Sequence, residues 1–298
     1  MASQLSGFLN VFKAPGETSQ GVVSRIRRLT GQKRVGHAGT LDPAAVGVLP
    51  VALGEATRFA MSSGWEPKVY WADVVFGIGT DTDDAEGRPV AAGDASGINL
   101  GQIGECLRPF LGRIAQRPPV YSAVRLGGAR SYALARGGGA VTPAARQVRI
   151  DEIRVVDWVS PMLSLRIQCG AGTYIRAVAR DLGEQLGCPA HLAALARLRV
   201  GPFSIDGALD YEQLDAISLS GGWRHVLWPT DLPLGELRVV IANEVQEQDF
   251  VHGRGWEAMI SDAGADRVRV YSLRGTFLGL AERAGARLEP RIVLGSDC

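Results

Sequence analysis

The sequence predicts a mixed α/β protein with a large, mostly antiparallel sheet, followed by a small β-rich module. Three observations carry this. Residues 147–158 and 163–169 read as two strands of one antiparallel pair. Segments of helical periodicity, such as 174–186, are interspersed with strand-like ones. From about residue 237 the chain alternates with β periodicity through LRVVIA, DRVRVYSL, FLGLAER and RIVLG.

In chain order, residues 7–13 form a short strand. Ser19 is placed to cap a helix through GVVSRIRRLT that ends at Gly31. RVGHAGTLDPAAVGVLPVALG reads as loop, punctuated by Gly36, Gly39, Pro43, Gly47 and Pro50. Residues 68–77 form a strand and TDTDDAEG a turn. A helix is expected over 100–111. Residues 116–146 contain Pro118, Pro119 and many glycines, and read as a long thumb-like insertion of the sort that more often serves function. Gly187 ends the helix begun at 174. Two prolines and polar residues in WPTDLPLGELR mark 228–238 as a linker, and the tail beyond reads as all-β.

At roughly 150 residues per domain, 298 residues suggest about two domains. The expected division is 1–232 and 237–298. Hydrophobic residues make up 46% and charged ones 21%, which suits a globular protein with a real core. Net charge is only +1, so any anionic partner must be met locally. Two stripes could do so. Lys13, Arg25, Arg27, Arg28, Lys33 and Arg34 stand with Glu17 as the sole acid, and seven arginines from Arg113 to Arg149 stand with none, beside Tyr121 and Tyr132. Charge alone leaves a solvated surface equally open. Cys106, Cys169, Cys188 and Cys298 show no metal-ligand or disulfide spacing. No run approaches a membrane span of about 20 apolar residues, and no signal peptide is visible, so a cytoplasmic protein is expected.

The densest concentration of chemistry is Gly36-His37-Ala38-Gly39-Thr40-Leu41-Asp42-Pro43. Its glycines let backbone approach a ligand closely, and Pro43 holds Asp42 extended. Taken alone, an aspartate before proline more often starts a turn, and a histidine more often packs than reacts.

GHAGTLDP, continuing into AAVGVLPVALGEATRF, resembles the catalytic signature of the TruB family of pseudouridine synthases. KVYWADVVFGIGTDTDDAEG resembles that family's second motif, QRPPVYSAVRLGGARSYALAR its RNA-gripping insertion, and CGAGTYIRAVARDLGEQLGCPAHLAALARLRVGPF its third motif. The tail resembles a reduced PUA domain. One departure is Phe12, where the family commonly has an acid before the lysine matched by Lys13.

The resemblance implies the pseudouridine synthase fold, with Asp42 as nucleophile, Arg176 as its partner, and Tyr70 stacking on the uracil and handling a proton at the sugar. It implies Tyr174 and Leu195 as lining of the base pocket, and His37 as the side chain filling the stack left by a flipped base. Phosphate contacts are expected from Lys13, Arg125, Arg130 and Arg197. Attack at C1′, attack at C6 and elimination through a glycal all remain open for Asp42. The implied substrate is uridine 55 in the TΨC stem-loop of tRNA, met by a monomer without cofactor, metal, guide RNA or membrane. A glycosidase would need a second carboxylate about 5–10 Å from the first, and none stands out in the motifs. A purely RNA-binding protein would not need Asp42, Tyr70 and Arg176 together. The guide-dependent dyskerin type is disfavoured by the lack of a long basic tail.

Overall fold

The computed structural model describes residues 5–62, 65–121, 125–126, 129–130, 143–257 and 267–295. Strand β1 (Gly7–Lys13) leads into helix α1 (Ser19–Thr30). Thr18 caps α1 by accepting a hydrogen bond from the Gly21 amide, and Gly31, left-handed at φ 65°, ends it. Ser19 is thus the first helical residue, not the expected cap. Its hydroxyl turns inward.

Strands β2 (Val35–His37) and β3 (Val46–Leu53) flank the loop that carries Asp42, followed by a 3-10 turn over Gly54–Phe59. This corrects the expectation of continuous loop. β3 is buried on both faces, so it reads as an unbroken apolar run rather than an alternation. Next come β4 (Lys68–Phe76), β5 (Ile78–Thr80), β6 (Pro89–Ala92), α2 (Leu100–Leu107) and β7 (Gly112–Gln116). β8 (Arg125–Leu126) and β9 (Ala129–Arg130) pair as a short ladder. Most of the expected insertion, with Tyr132 and Arg136, lies outside the described residues, as does Cys298.

β10 (Arg146–Val159) and β11 (Met162–Cys169) form the expected antiparallel pair. Then follow α3 (Ile175–Gln185), β12 (Ala190–Val200), β13 (Phe203–Ser204), α4 (Tyr211–Ser220) and α5 (Trp223–Val226). Nine of these strands make one sheet, ordered β1-β3-β12-β4-β11-β10-β7, with β2 on β3 and β13 on β12. Within it only β3 and β12 run parallel. Helix α3 buries Ile175, Ala177, Val178, Ala179 and Leu182. Gly183 allows this closeness, since a Cβ there would lie 2.7 Å from the Ala190 amide nitrogen.

The last part contains β14 (Arg238–Ala242), α6 (Glu244–Val251), β15 (Trp256–Glu257), β16 (Arg267–Ser272), β17 (Phe277–Ala284) and β18 (Arg287–Val293). Its five strands form a second sheet. The expected all-β tail therefore contains a helix, nucleated by an Asn243–Gln246 capping box. Nor is the preceding stretch a free tether. Pro233 and Leu234 are buried, and Leu234 shares a core with Phe59, Leu280 and Leu294. Phe277 meets Phe59 at 5.8 Å between ring centroids, and the Arg58 guanidinium donates to the Val293 carbonyl at 2.6 Å.

Candidate active site

The loop between β2 and β3 presents Asp42, and nearly every carbonyl beneath it is engaged. Arg197 donates to the Gly39 and Thr40 carbonyls at 3.2 and 3.1 Å. The Ser19 hydroxyl both donates to the Leu41 carbonyl and accepts from the Leu41 amide, at 3.0 and 2.9 Å. The Ala45 amide donates to the Asp42 carbonyl. The Pro43 carbonyl accepts from the Lys13 ammonium at 2.9 Å and from the Gly16 amide. With the backbone fixed from behind, the Asp42 side chain remains 38% exposed.

Arg176 meets it from the first turn of α3. Its Nε lies 3.0 Å from Asp42 Oδ2, although the N–H is not aimed at that oxygen, so the contact is an ion pair rather than an aligned hydrogen bond. The guanidinium is only 6% exposed. Its Nη1 lies 3.2 Å from Asp84 Oδ2 and donates to the Thr82 carbonyl, while Nη2 donates to the Tyr121 carbonyl. Asp84 is itself held by the Thr82 hydroxyl. The turn carrying it is stitched to β12 by hydrogen bonds between Asp83, Ala85 and Leu192. Asp83 adopts φ 62° there, and Arg180 pairs with it at 2.8 Å. Burial raises the Asp83 carboxyl above its usual range, against the pull of Arg180.

Tyr70 lies on β4, opposite Arg197 of β12 in register. It is 7% exposed, and burial pushes its phenol up, with Arg197 opposing that rise through its charge and a hydrogen bond. Leu195 packs against the core cluster containing Tyr70. Tyr174, immediately before α3, exchanges backbone hydrogen bonds with the Gln116 side chain and lies beneath the Arg146 guanidinium at 4.7 Å. His37 is half-buried, its Nδ1 has no hydrogen-bond partner, and burial together with Arg197 lowers its pKa. The imidazole is therefore neutral near pH 7.

Two expected phosphate contacts are corrected. Lys13 is fully buried and Arg197 is 1% exposed, so neither reaches a phosphate backbone. Both cations instead hold carbonyls of the Asp42 loop, and burial lowers the Lys13 pKa. The Arg125 and Arg130 side chains lie outside what the structure describes. Sequence reasoning gave Ser19 only a capping role and Asp84 none, because their partners here are set by tertiary contacts. Among the described residues no group of three or more His, Cys, Asp or Glu side chains is arranged to hold a metal ion.

This arrangement sets a half-exposed carboxylate, Asp42, against a buried guanidinium that a second carboxylate, Asp84, also holds, with the buried Tyr70 phenol within reach of the Asp42 charge. A model of the N-terminal domain of TruB family pseudouridylate synthases matches residues 27–175, and one of the tRNA pseudouridylate synthase B C-terminal domain matches 176–234. The tRNA pseudouridine synthase B of Gloeobacter violaceus is 48% identical over 97% of this chain and 99% of its own length. That of Dehalococcoides mccartyi is 43% identical over 84% and 83%, and that of Trichormus variabilis 39% over 97% and 98%. Among solved structures, a chain of a Cbf5-Nop10-Gar1 complex superposes with TM-score 0.73 at 25% identity, over 96% of this chain and 84% of that one. A chain from an H/ACA RNP bound to a substrate RNA containing 2′-deoxyuridine gives 0.72 at 24%, over 98% and 86%, a likeness of fold. The chain belongs to the TruB family of pseudouridylate synthases.

Proposed function

We propose that this protein converts uridine 55 in the TΨC loop of tRNA to pseudouridine, as a single chain without guide RNA or cofactor, in the cytoplasm. The observation that carries this reading is the half-exposed Asp42 carboxylate held against the nearly buried Arg176. The names of relatives that match almost the full chain support tRNA as substrate.

The reaction breaks the N1–C1′ bond, turns the uracil and forms a C5–C1′ bond. C5 loses a proton and N1 gains one, so no electrons are exchanged with a cofactor. Asp42 is the nucleophile, and the Arg176 guanidinium sets a positive charge 3.0 Å from its Oδ2. Tyr70 stacks on the uracil and handles a proton at the sugar, with Tyr174 and Leu195 lining the pocket. The target base must first leave its stack, at a cost of a few kcal/mol. A neutral His37 filling the vacated place offsets part of this cost. The exposed Arg113 and Arg117 and the insertion bearing Arg125 and Arg130 would grip the loop phosphates. Residues 237–298 would act as a PUA-like module against a more distant part of the tRNA.

The test compares unmodified tRNA, a short TΨC stem-loop and a uridine-rich single strand, with pseudouridine mapped chemically. Modification of tRNA and stem-loop but not of the single strand is expected. Equal modification of all three would refute loop recognition.

A further inference from the structure

Arg197 was expected at the RNA surface, yet it sits where the two halves of the site meet. On β12 its backbone pairs with Gly47 of β3 on one side and with Tyr70 of β4 on the other. The β3 side is unusually close. Gly47 adopts φ 107°, and a Cβ there would lie 2.3 Å from the Arg197 carbonyl oxygen, so only glycine fits. The side chain then reaches past β3 into the Asp42 loop. Nε donates to the Val48 carbonyl at 2.7 Å, Nη1 to Thr40 and Nη2 to Gly39. Each of its three nitrogens holds a different carbonyl. Gly39 and Thr40 lie in the loop that leads to Asp42, and Val48 lies in the strand that leaves it.

Two further facts bear on its purpose. At 1% exposure the guanidinium has no carboxylate within ion-pairing distance among the described residues. A buried charge without a counter-ion costs several kcal/mol unless dipoles compensate it, and a leucine or methionine would fill the space without that cost. Its positive charge is also felt by Lys13, His37, Lys68 and Tyr70. The titratable groups facing Tyr70 are Arg197, Asp42 and the Cys169 thiol, which burial keeps neutral. Arg197 is the one cation among them.

We propose that Arg197 is a positioning residue that ties the Asp42 loop to the strand bearing Tyr70, fixing the carboxylate and the phenol relative to one another. This rests on the functional reading above. Arg197 touches no substrate, since it lies behind the loop. It acts through Asp42, by fixing the loop's path, and through Tyr70, by placing a positive charge against its hydroxyl. Lysine would keep the charge but not the planar fork that serves three carbonyls at once.

The experiment measures single-turnover rates at saturating unmodified tRNA, the Kd for tRNA and the pH–rate profile for wild type, Arg197→Lys and Arg197→Met. Wild-type turnover is scored first, because a wild type that forms no pseudouridine defeats the functional reading and the proposal built on it, whereas a variant that matches wild type defeats the positioning claim alone. With turnover present, Arg197→Lys should lose about tenfold in rate, equivalent to some 1.4 kcal/mol of transition-state stabilisation. Its Kd should stay within about threefold and the alkaline part of its profile should stay in place. Arg197→Met should lose more, and its profile should move to higher pH, because removing the cation leaves the Tyr70 phenol harder to ionise. If Arg197→Met does not fold, Arg197→Lys decides. A rate within threefold of wild type in Arg197→Lys, or a loss confined to Kd, overturns the proposal.

Discussion

The Arg176 guanidinium stands between two carboxylates, with Nε 3.0 Å from Asp42 Oδ2 and Nη1 3.2 Å from Asp84 Oδ2. Asp42 is accessible and Asp84 is not, their side chains being 38% and 16% exposed. One arginine therefore serves an outward carboxylate and is anchored by an inward one. Asp42→Asn keeps the shape of the side chain and removes its charge. Turnover should fall by at least about 10³-fold with tRNA binding within about threefold. Filter-binding and single-turnover assays on the same preparation check both halves.

Arg176→Ala should depress the rate at saturating tRNA by roughly 100-fold, since it removes the group poised beside the proposed nucleophile. Arg149→Ala should change that rate by less than about threefold. Arg149 is exposed and pairs with Glu66 and Asp151 at 3.0 Å each, and exposed pairs contribute only about 0–1 kcal/mol. Comparable losses in both variants, each cured by more tRNA, would show that Arg176 is a phosphate contact.

His37 gives a pH-dependent signature of its own. Burial and Arg197 lower its pKa below the usual 6.5. The folded state thus resists protonation more than the unfolded state does. The stability this group contributes is present above pH 6.5 and is lost as pH falls from there toward the folded pKa. The melting temperature should therefore drop less between pH 7 and pH 5 in His37→Gln than in wild type. An equal drop in both proteins would place the acid sensitivity elsewhere.

The C-terminal sheet shares a core with the catalytic part through Phe277, Leu280 and Leu294. Deleting 237–298 would thus uncover Phe59 and Leu234 as well as remove the proposed RNA-binding module. A gentler probe is Phe277→Ala, which should cost about 2 kcal/mol of stability, less than the roughly 3–5 kcal/mol of a fully buried ring because Phe277 is only partly buried. Its rate per folded molecule should be unchanged. Chemical denaturation followed by turnover below the transition checks this.

Much of the site was legible in the sequence because its residues fall in short, distinctive motifs. Asp42, Tyr70 and Arg176 could be named from those motifs, and the structure brings Asp42 and Arg176 into contact. The strands around them were harder to see. β12 is rich in Ala, Leu and Arg, residues of good helix propensity, yet it runs through the middle of the sheet because β3 and β4 pair with it on either side. β3 was obscured by Gly47 and Pro50, which normally punctuate loops. Lys13 and Arg197 misled for a related reason. A cation in a basic stretch reads as solvent-facing, and only the fold shows that backbone carbonyls take the place of solvent. Asp84 looked like one acid among several in a turn, and the approach of α3 is what singles it out.

The measurement closest to the central claim follows tritium leaving C5 of the uracil, because that hydrogen must depart when C5 joins C1′. Unmodified tRNA labelled at C5 of its uridines is incubated with wild-type protein and with Asp42→Asn. Wild type should release one equivalent of tritium per tRNA, lost when uridine 55 is replaced by cytidine, and Asp42→Asn should release none over the same period. No release by wild type, or equal release by both proteins, would contradict the assignment of Asp42 as the nucleophile of a uridine isomerase.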